Sequence, residues 1–244
     1  MSDDEAYTRL AAVYDEIVVD PCYDRWAGYL HDAWASDAVG VRTVLDVACG
    51  TGLLAAELVG LGYRVTGVDS SAAMLGRARE LLGSDAVLVQ VVLPDLPLSG
   101  VFDAAVSTFD GLNYLTPSDL RSTMVAVGRR LRAGGWFVFD VHTDAMMEFT
   151  AANPVVEGEA EGQRFTIASV VDVGARSCET CIDVTRTSDG DRFTERHRQY
   201  FFSDGELARA LADAGFEVIS VTDEYSDAPA DAASLRATWV TRRA

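Results

Sequence analysis

The chain has 244 residues, 49% of them hydrophobic, and a formal charge of −18. That is long and apolar enough for one large domain, or a domain carrying an insertion, and it excludes wholesale disorder. The acidic balance, in which every basic residue is arginine, argues against a nucleic-acid backbone or an anionic membrane as partner.

No apolar run reaches the ~18 residues of a membrane span. The acidic start Met1-Ser2-Asp3-Asp4-Glu5 lacks the basic-then-apolar order of a secretory leader, so a cytoplasmic protein is expected.

Residues 5–38 read as helical. Tyr7, Leu10, Ala11 and Tyr14 fall at i, i+3, i+4, i+7, and Tyr23, Trp26, Ala27 and Leu30 repeat the pattern after Pro21. A buried strand then opens at Thr43 and runs through Asp46 into a turn at Gly50-Thr51-Gly52. The helix after it carries Leu53, Leu54, Leu58 and Leu61 on its apolar side. A second strand, Arg64–Asp69, ends on a carboxylate, and Ser70 or Ser71 caps the next helix with Met74, Ala78, Leu81 and Leu82. Further strands are expected at Val87–Leu93, Phe102–Thr108 and Trp136–Val141, with a helix from Pro117 to Leu131 ended by Gly134-Gly135. This alternation predicts a doubly wound, mostly parallel sheet covered on both faces.

The pattern changes after about Thr150. From Val155 to Phe202 the chain alternates with period two, as in Phe165, Ile167, Ser169, Val171 and Val173, with turns at Gly174-Ala175 and Ser188-Asp189-Gly190. An antiparallel patch of three or four strands is expected there. A helix near Ser203 follows, then strands Phe216–Thr222 and Leu235–Thr241, too close together for a covering helix and so an antiparallel hairpin. The expected organisation is an N-terminal helical lid over 1–40, an α/β core over 41–150 and 203–244, and an antiparallel insertion over 151–202.

The glycine turn is ambiguous alone, because Gly50, Gly52 and Ala55 also satisfy the weaker dinucleotide pattern G-x-G-x-x-A. Asp46 decides against it, since a carboxylate just before the turn would repel a pyrophosphate. Asp69, at the tip of the second strand, is placed to accept the two hydroxyls of a ribose. The pair implies a cofactor with a ribose and a positive or amine-bearing part, but no phosphate.

Val44-Leu45-Asp46-Val47-Ala48-Cys49-Gly50-Thr51-Gly52, followed by Gly67-Val68-Asp69-Ser70-Ser71, resembles the class I S-adenosylmethionine-dependent methyltransferases. The resemblance covers most of residues 40–145 and resumes at Ala214-Gly215-Phe216. It implies a seven-stranded sheet whose last strand is antiparallel, and S-adenosylmethionine as cofactor. By that resemblance Asp46 and the Ala48–Gly52 backbone hold the methionine end, Asp69 the ribose, and Ser70 and Met74 the ribose and adenine. The adenine carboxylate common in the family is missing here. The Val92 and Leu93 backbone is expected to hold the base instead, with Asp95 second.

The segment Ser107–Leu115 closes the site at the carboxyl end of the fourth strand. Thr108 is assigned to the cofactor; Phe109, Asp110, Asn113 and Tyr114 are assigned to the substrate. The N-terminal Tyr7 and Tyr14-Asp15, with Tyr23-Asp24-Arg25-Trp26, resemble the lids of N-methyltransferases that tailor amino sugars and related antibiotics. This resemblance places Tyr14 and Trp26 over the cofactor, and Tyr7 beside the acceptor as a second catalytic candidate after Tyr14. His142, at the end of the fifth strand, faces the cleft as a substrate contact or base. His197 and Tyr200 are candidate contacts from the antiparallel patch, and His31 reads as structural.

Cys178 and Cys181 form a lone C-x-x-C whose members point to opposite faces of a strand, so neither zinc nor a disulfide is expected. The resulting reading is a small-molecule N-methyltransferase, monomeric or homo-oligomeric. Its alternatives are an O-methyltransferase with His142 as base, or a protein that binds S-adenosylmethionine without transferring its methyl, such as a cyclase.

Overall fold

The computed structural model describes residues 6–17, 22–35 and 37–244. Residues 1–5, 18–21 and 36 lie outside the described residues, and with them parts of the span expected to be helical and of the expected lid. What is described of that span is broken. It comprises a 3-10 turn at Leu10–Ala12, a single helical turn α1 (Tyr14–Ile17), and α2 (Tyr23–Ala35), which buries Trp26, Ala27, Leu30 and Trp34 as the spacing predicts. The break has a tertiary cause. Tyr7 stands at φ 62°, and the N–H groups of Tyr7, Arg9 and Leu10 are taken by the Glu195 carboxylate instead of by helical carbonyls.

The main sheet is laid out in both directions from β1 (Thr43–Val47), with β2 (Arg64–Asp69) parallel on one side and β4 (Phe102–Ser107) parallel on the other. Outside β2 lies β3 (Ala86–Gln90); outside β4 lies β5 (Leu131–His142). The covering helices are α3 (Leu53–Gly60), α4 (Ala72–Leu82) and α5 (Pro117–Arg130). Alternate residues of β1 feed opposite cores, as the pleat requires. Val44 packs with Trp26, Leu58 and Val138 on one face; Leu45 and Val47 pack with Met124, Phe137 and Phe139 on the other.

The C-terminal strands complete the sheet. The last strand runs antiparallel to both of its neighbours, the sheet's edge strand and β5, giving a seven-stranded sheet that is otherwise parallel, as expected. These are β10 (Phe216–Asp223) at the edge and β11 (Arg236–Arg243) between it and β5.

Three boundaries differ from expectation. β3 stops at Gln90, and Val91 leaves the sheet after one bond to the Asp69 carbonyl at 2.9 Å, which frees Val92 and Leu93 to form a rim. Gly134-Gly135 lies inside β5, which starts at Leu131 beside a register shift against β4. A helix, α6 (Asp144–Ala152), follows β5 where none was read, its first turn capped by the Thr143 hydroxyl.

The antiparallel patch is a separate four-stranded sheet of β6 (Val155–Ala160), β7 (Gln163–Asp172), β8 (Ser177–Arg186) and β9 (Arg192–Tyr200). Its inner residues Phe165 and Val184 pack on Leu10 and Val13, so the N-terminal segment is held between this sheet and the core. α7 (Asp204–Asp213) returns the chain to the core from a capping box of Ser203 and Glu206. Among the described residues, no helix is long and apolar enough to cross a membrane.

Candidate functional site

Strand order reverses between β1 and β4, and a crevice opens where their carboxyl ends diverge. One wall is the Ala48–Thr51 loop; the other runs from Thr108 to Tyr114. The two approach so closely that a Cβ on Gly111 would stand 2.9 Å from the Ala48 Cβ. The crevice is a cavity of about 640 Å³, within the ~300–1,000 Å³ range of ligand sites. Ala48, Gly50, Asp69, Ser70, Met74, Val92, Leu93 and Thr108 all line it.

A second cavity of about 290 Å³ lies between the core and the four-stranded sheet. Tyr7, Tyr14, Phe109 and Tyr114 line both, so four aromatic residues stand at the boundary between them. The second cavity is apolar toward Phe165, Ile167 and Ile182, and polar where Asp110, His142, His197 and Gln199 meet.

The first cavity is acidic in a graded way. Asp69 accepts the N–H of Gly50 at 2.9 Å and of Ser71 at 2.8 Å, which aims its carboxylate across the turn; burial still raises its pKa against those bonds. Asp46 lies beneath the loop, 1% exposed, with Oδ2 unpartnered. Burial, and after it the Asp69 charge, pushes Asp46 up to about 8, so the carboxyl is mostly protonated at neutral pH.

The floor of the second cavity is an ionic knot. Phe109 and Asp110 both adopt left-handed backbone, at φ 58° and 52°, conformations that cost on the order of 1–3 kcal/mol each. Asp140 offsets that cost by accepting the N–H of Phe109 at 2.8 Å and of Asp110 at 2.6 Å, while the Tyr225 hydroxyl donates to it at 2.9 Å. The Arg236 guanidinium reaches Asp110 at 3.0 Å, Glu224 at 2.8 Å and Asp140 at 3.5 Å, and stacks 4.7 Å from the Phe109 ring centre. Gln199 donates to Asp110 at 2.6 Å, and His142 Nε2 stands 3.4 Å from it. Burial alone would raise Asp110; His142, Arg236 and Gln199 override it and hold the carboxyl at about 2.

Several expected site residues stand elsewhere. Trp26 is fully buried against Tyr23, Phe109 and Tyr225 and reaches neither cavity. Asn113 is also fully buried: it donates to the Tyr200 carbonyl at 2.7 Å and accepts the His142 N–H at 3.1 Å, tying the second sheet to the core. Tyr200 lines neither cavity and supplies that carbonyl, its ring lying under Arg198. Gly52 is not at the cavity wall. At φ 83°, a Cβ there would meet Leu82 at 2.9 Å and Ala78 at 3.1 Å, so it serves the packing of α3 on α4. Asp46 sits behind the lining, not in it. His31 pairs with the Tyr63 hydroxyl at 2.8 Å, away from the site. Cys178 and Cys181 are free thiols.

Arg236, Asp140, Gln199 and Glu195 were not singled out from the sequence. Glu195 carried a signal: it shares a strand face with Phe193, His197 and Phe201, where a charge needs a buried partner.

Comparison with known proteins follows the same outline. The methyltransferase domain family matches residues 44–135. The chain is 31% identical over 240 residues to YqeM of Bacillus subtilis (strain 168), a protein named as a methyltransferase, and the match covers 94% of each. Among solved structures it resembles the CcbJ methyltransferase from Streptomyces caelestis, with a TM-score of 0.86 at 24% identity and full coverage of both chains. It also resembles the sugar N-methyltransferase KedS8 from Streptoalloteichus sp ATCC 53650, with a TM-score of 0.73 at 23% identity, covering 99% of this chain and 94% of that one.

Proposed function

The chain belongs to the S-adenosylmethionine-dependent methyltransferases, and from that premise we propose that it methylates an amine nitrogen of a small molecule seated in the second cavity. S-adenosylmethionine supplies a methyl group activated by a sulfonium. In this reading the first cavity holds it: Asp69 accepts the ribose hydroxyls, Asp46 and the Ala48–Gly50 backbone take the methionine end, and Ser70, Met74, Val92 and Leu93 border the adenine. The unpartnered Asp46 Oδ2 fits an ammonium as neighbour, which would return that carboxyl to its charged form. Thr108 lines this cavity, and Tyr14 stands at its boundary with the second.

The observation that carries the nitrogen reading is the character of the boundary between the cavities. The residues shared there are the aromatic Tyr7, Tyr14, Phe109 and Tyr114, and the second cavity holds Asp110 ionised. Methylating an amine moves positive charge from sulfur onto the nucleophile, and ring faces and a carboxylate stabilise that charge. Methylating a hydroxyl ends on a neutral ether and gains nothing there. The sugar N-methyltransferase KedS8 shares this fold, and the reading takes the acceptor to be of the same broad kind, an amine on a small natural product of the antibiotic type. In the same reading the described residues within 1–40 form a lid, 41–150 and 203–244 the cofactor core, and 151–202 the roof of the acceptor site. The oxygen reading keeps one supporting observation, the His142–Asp110 pair at 3.4 Å, which has the form of a base held by a carboxylate.

The test is incubation with methyl-labelled S-adenosylmethionine and a panel of small amines, phenols and sugar hydroxyls. Label on amine nitrogen is expected. Label only on oxygen overturns the nitrogen reading, and tight cofactor binding with no transfer to any member favours structural use of the cofactor.

A further inference from the structure

Four side chains stand in one line, hydrogen-bonded from His197 through Tyr114 to Tyr7 and closed at the inner end by a contact between the His197 imidazole and the Glu195 carboxylate. His197 Nε2 stands 3.5 Å from Glu195 Oε2, His197 Nδ1 is 2.9 Å from the Tyr114 hydroxyl, and that hydroxyl is 2.7 Å from the hydroxyl of Tyr7. The inner end is closed to water, with the His197 side chain 3% exposed and that of Glu195 1%. The outer end is the Tyr7 hydroxyl, on a residue that lines both cavities.

The line has one consistent polarity. Glu195 accepts three backbone N–H groups from the N-terminal segment, at 2.7, 2.5 and 2.8 Å, and these, with His197, keep it ionised against its burial. A carboxylate facing Nε2 places the imidazole proton on Nε2. Nδ1 is then an acceptor, so the Tyr114 hydroxyl donates to it, and the Tyr7 hydroxyl donates to Tyr114. The lone pairs of the Tyr7 oxygen remain, at the boundary between the cavities where the nucleophile must stand. Burial raises both phenols well above 10, so each passes a proton on without becoming a phenolate.

We propose that Tyr7, Tyr114 and His197 form the proton path that strips the acceptor for methyl transfer, with Glu195 as the residue that positions the imidazole. The proposal rests on the reading that the acceptor occupies the second cavity. An acceptor ammonium gives one proton to the Tyr7 oxygen as Tyr7 gives its own to Tyr114 and Tyr114 its own to His197 Nδ1. Both phenols end neutral, and the imidazolium is paired with Glu195. The freed nitrogen lone pair forms the N–C bond as the S–C bond breaks, leaving a methylated ammonium and a neutral thioether. A hydroxyl acceptor would use the same path.

The groups around His197 are Glu195 on its own strand, Tyr7 of the N-terminal segment and Tyr114 of the loop after β4. Cys178, Asp110 and His142 lie farther around the same cavity. Arg196 and Arg198 lie on the opposite face of β9.

The first test is nitrogen NMR of the whole protein with labelled histidine, which needs no acceptor. Neutral His197 is expected with its proton on Nε2, and Tyr114→Phe should shift its Nδ1 resonance while leaving His31 unmoved. A proton on Nδ1, or no shift in that variant, overturns the proposal. The second test uses benzylamine and 4-methylphenol with labelled S-adenosylmethionine. Tyr114→Phe and His197→Gln should lower kcat by about 100-fold at neutral pH, with the affinity for S-adenosylhomocysteine changed less than about twofold. The loss on benzylamine should shrink as pH rises and the amine deprotonates by itself. A loss of the same size at every pH marks a merely structural role and overturns the proposal. If neither compound accepts label, the acceptor reading fails while the NMR result still decides the proton path.

Discussion

The Glu195 carboxylate accepts the backbone N–H of Tyr7 at 2.7 Å, across 188 positions of sequence, and the same group takes Arg9 and Leu10. This is the bond set that ties the N-terminal segment to the second sheet. On the other side the segment is tied to the cofactor loops, where Ser71 donates to the Tyr7 carbonyl at 2.9 Å and Thr51 to Asp15 at 2.8 Å. The segment is thus held from both sides and lines both cavities through Tyr7 and Tyr14.

Glu195→Gln should release that hold. A hydrogen bond to a charged group is worth about 1.5–3 kcal/mol, so the amides of residues 7–10 should exchange with solvent about ten- to a hundredfold faster than in the wild type. The wild type should show the same loosening in acid. Burial opposes ionisation of Glu195, but His197 and the three amides hold its pKa below the usual value. The stabilisation is therefore present above the unfolded pKa and is lost as pH falls through the lower folded one. Hydrogen exchange followed by mass spectrometry reads both effects, and unchanged exchange in the variant would refute the assignment.

Arg236 is a second long-range centre. It is one cation among Asp110, Asp140 and Glu224, and its removal takes the guanidinium from two buried carboxyls. Arg236→Ala should cost about 3–5 kcal/mol at neutral pH. With Arg236 present Asp110 titrates near 2; without it the folded pKa rises, and protonation relieves the strain earlier. The destabilisation should accordingly be larger at pH 7 than at pH 4. Urea unfolding at the two pH values decides the matter, and an equal cost at both would contradict it.

How much of this was legible depends on distance along the chain. The stretch from Thr43 to Gly52 states a strand and a turn that opens straight into α3, so its position at the head of the first cavity could be read locally, and Asp69 with it. The knot around Arg236 could not, because its members come from the loop after β4, the end of β5, β9 and the C-terminal hairpin. Asn113 misled for the same reason: a polar residue in a site loop looks like a ligand contact until its partners, the Tyr200 carbonyl and the His142 N–H, are known. Trp26, assigned to the cofactor by resemblance, instead followed its helical period into the core.

Asp46 couples stability to binding with opposite signs. Its folded pKa, about 8, lies far above the usual carboxylate value. Between the unfolded value and 8 the unfolded chain has lost the proton that the folded chain keeps. Stability from this group is thus full below pH ~4, falls as pH rises toward 8, and levels beyond. Asp46→Asn imitates the protonated form and removes that fall. The variant should be more stable than the wild type by an amount that grows with pH between 4 and 8, at up to about 1.4 kcal/mol per pH unit. It should also bind S-adenosylmethionine more weakly, because no charge forms opposite the ammonium. Melting curves across pH and a cofactor titration test the two halves separately; a stability difference independent of pH would show that Asp46 is ionised in the folded chain.

Gly50 and Gly52 separate the two uses of a glycine turn. Both have left-handed backbone, at φ 54° and 83°, so alanine at either costs about 1–2 kcal/mol in conformation. Their surroundings differ. A Cβ on Gly50 meets nothing within 4 Å and lies on a residue that lines the first cavity, whereas a Cβ on Gly52 stands 2.9 Å from Leu82 and 3.1 Å from Ala78. Gly50→Ala should therefore lose cofactor affinity out of proportion to its modest loss of stability, as the methyl occupies space the ligand uses. Gly52→Ala should show the reverse, a larger drop in melting temperature as α3 is pushed from α4, with affinity little changed in the molecules that stay folded. Thermal unfolding and calorimetric titration with S-adenosylhomocysteine on the two variants measure this crossover. If both variants lost affinity and stability in the same proportion, the division of labour between the two glycines would be refuted.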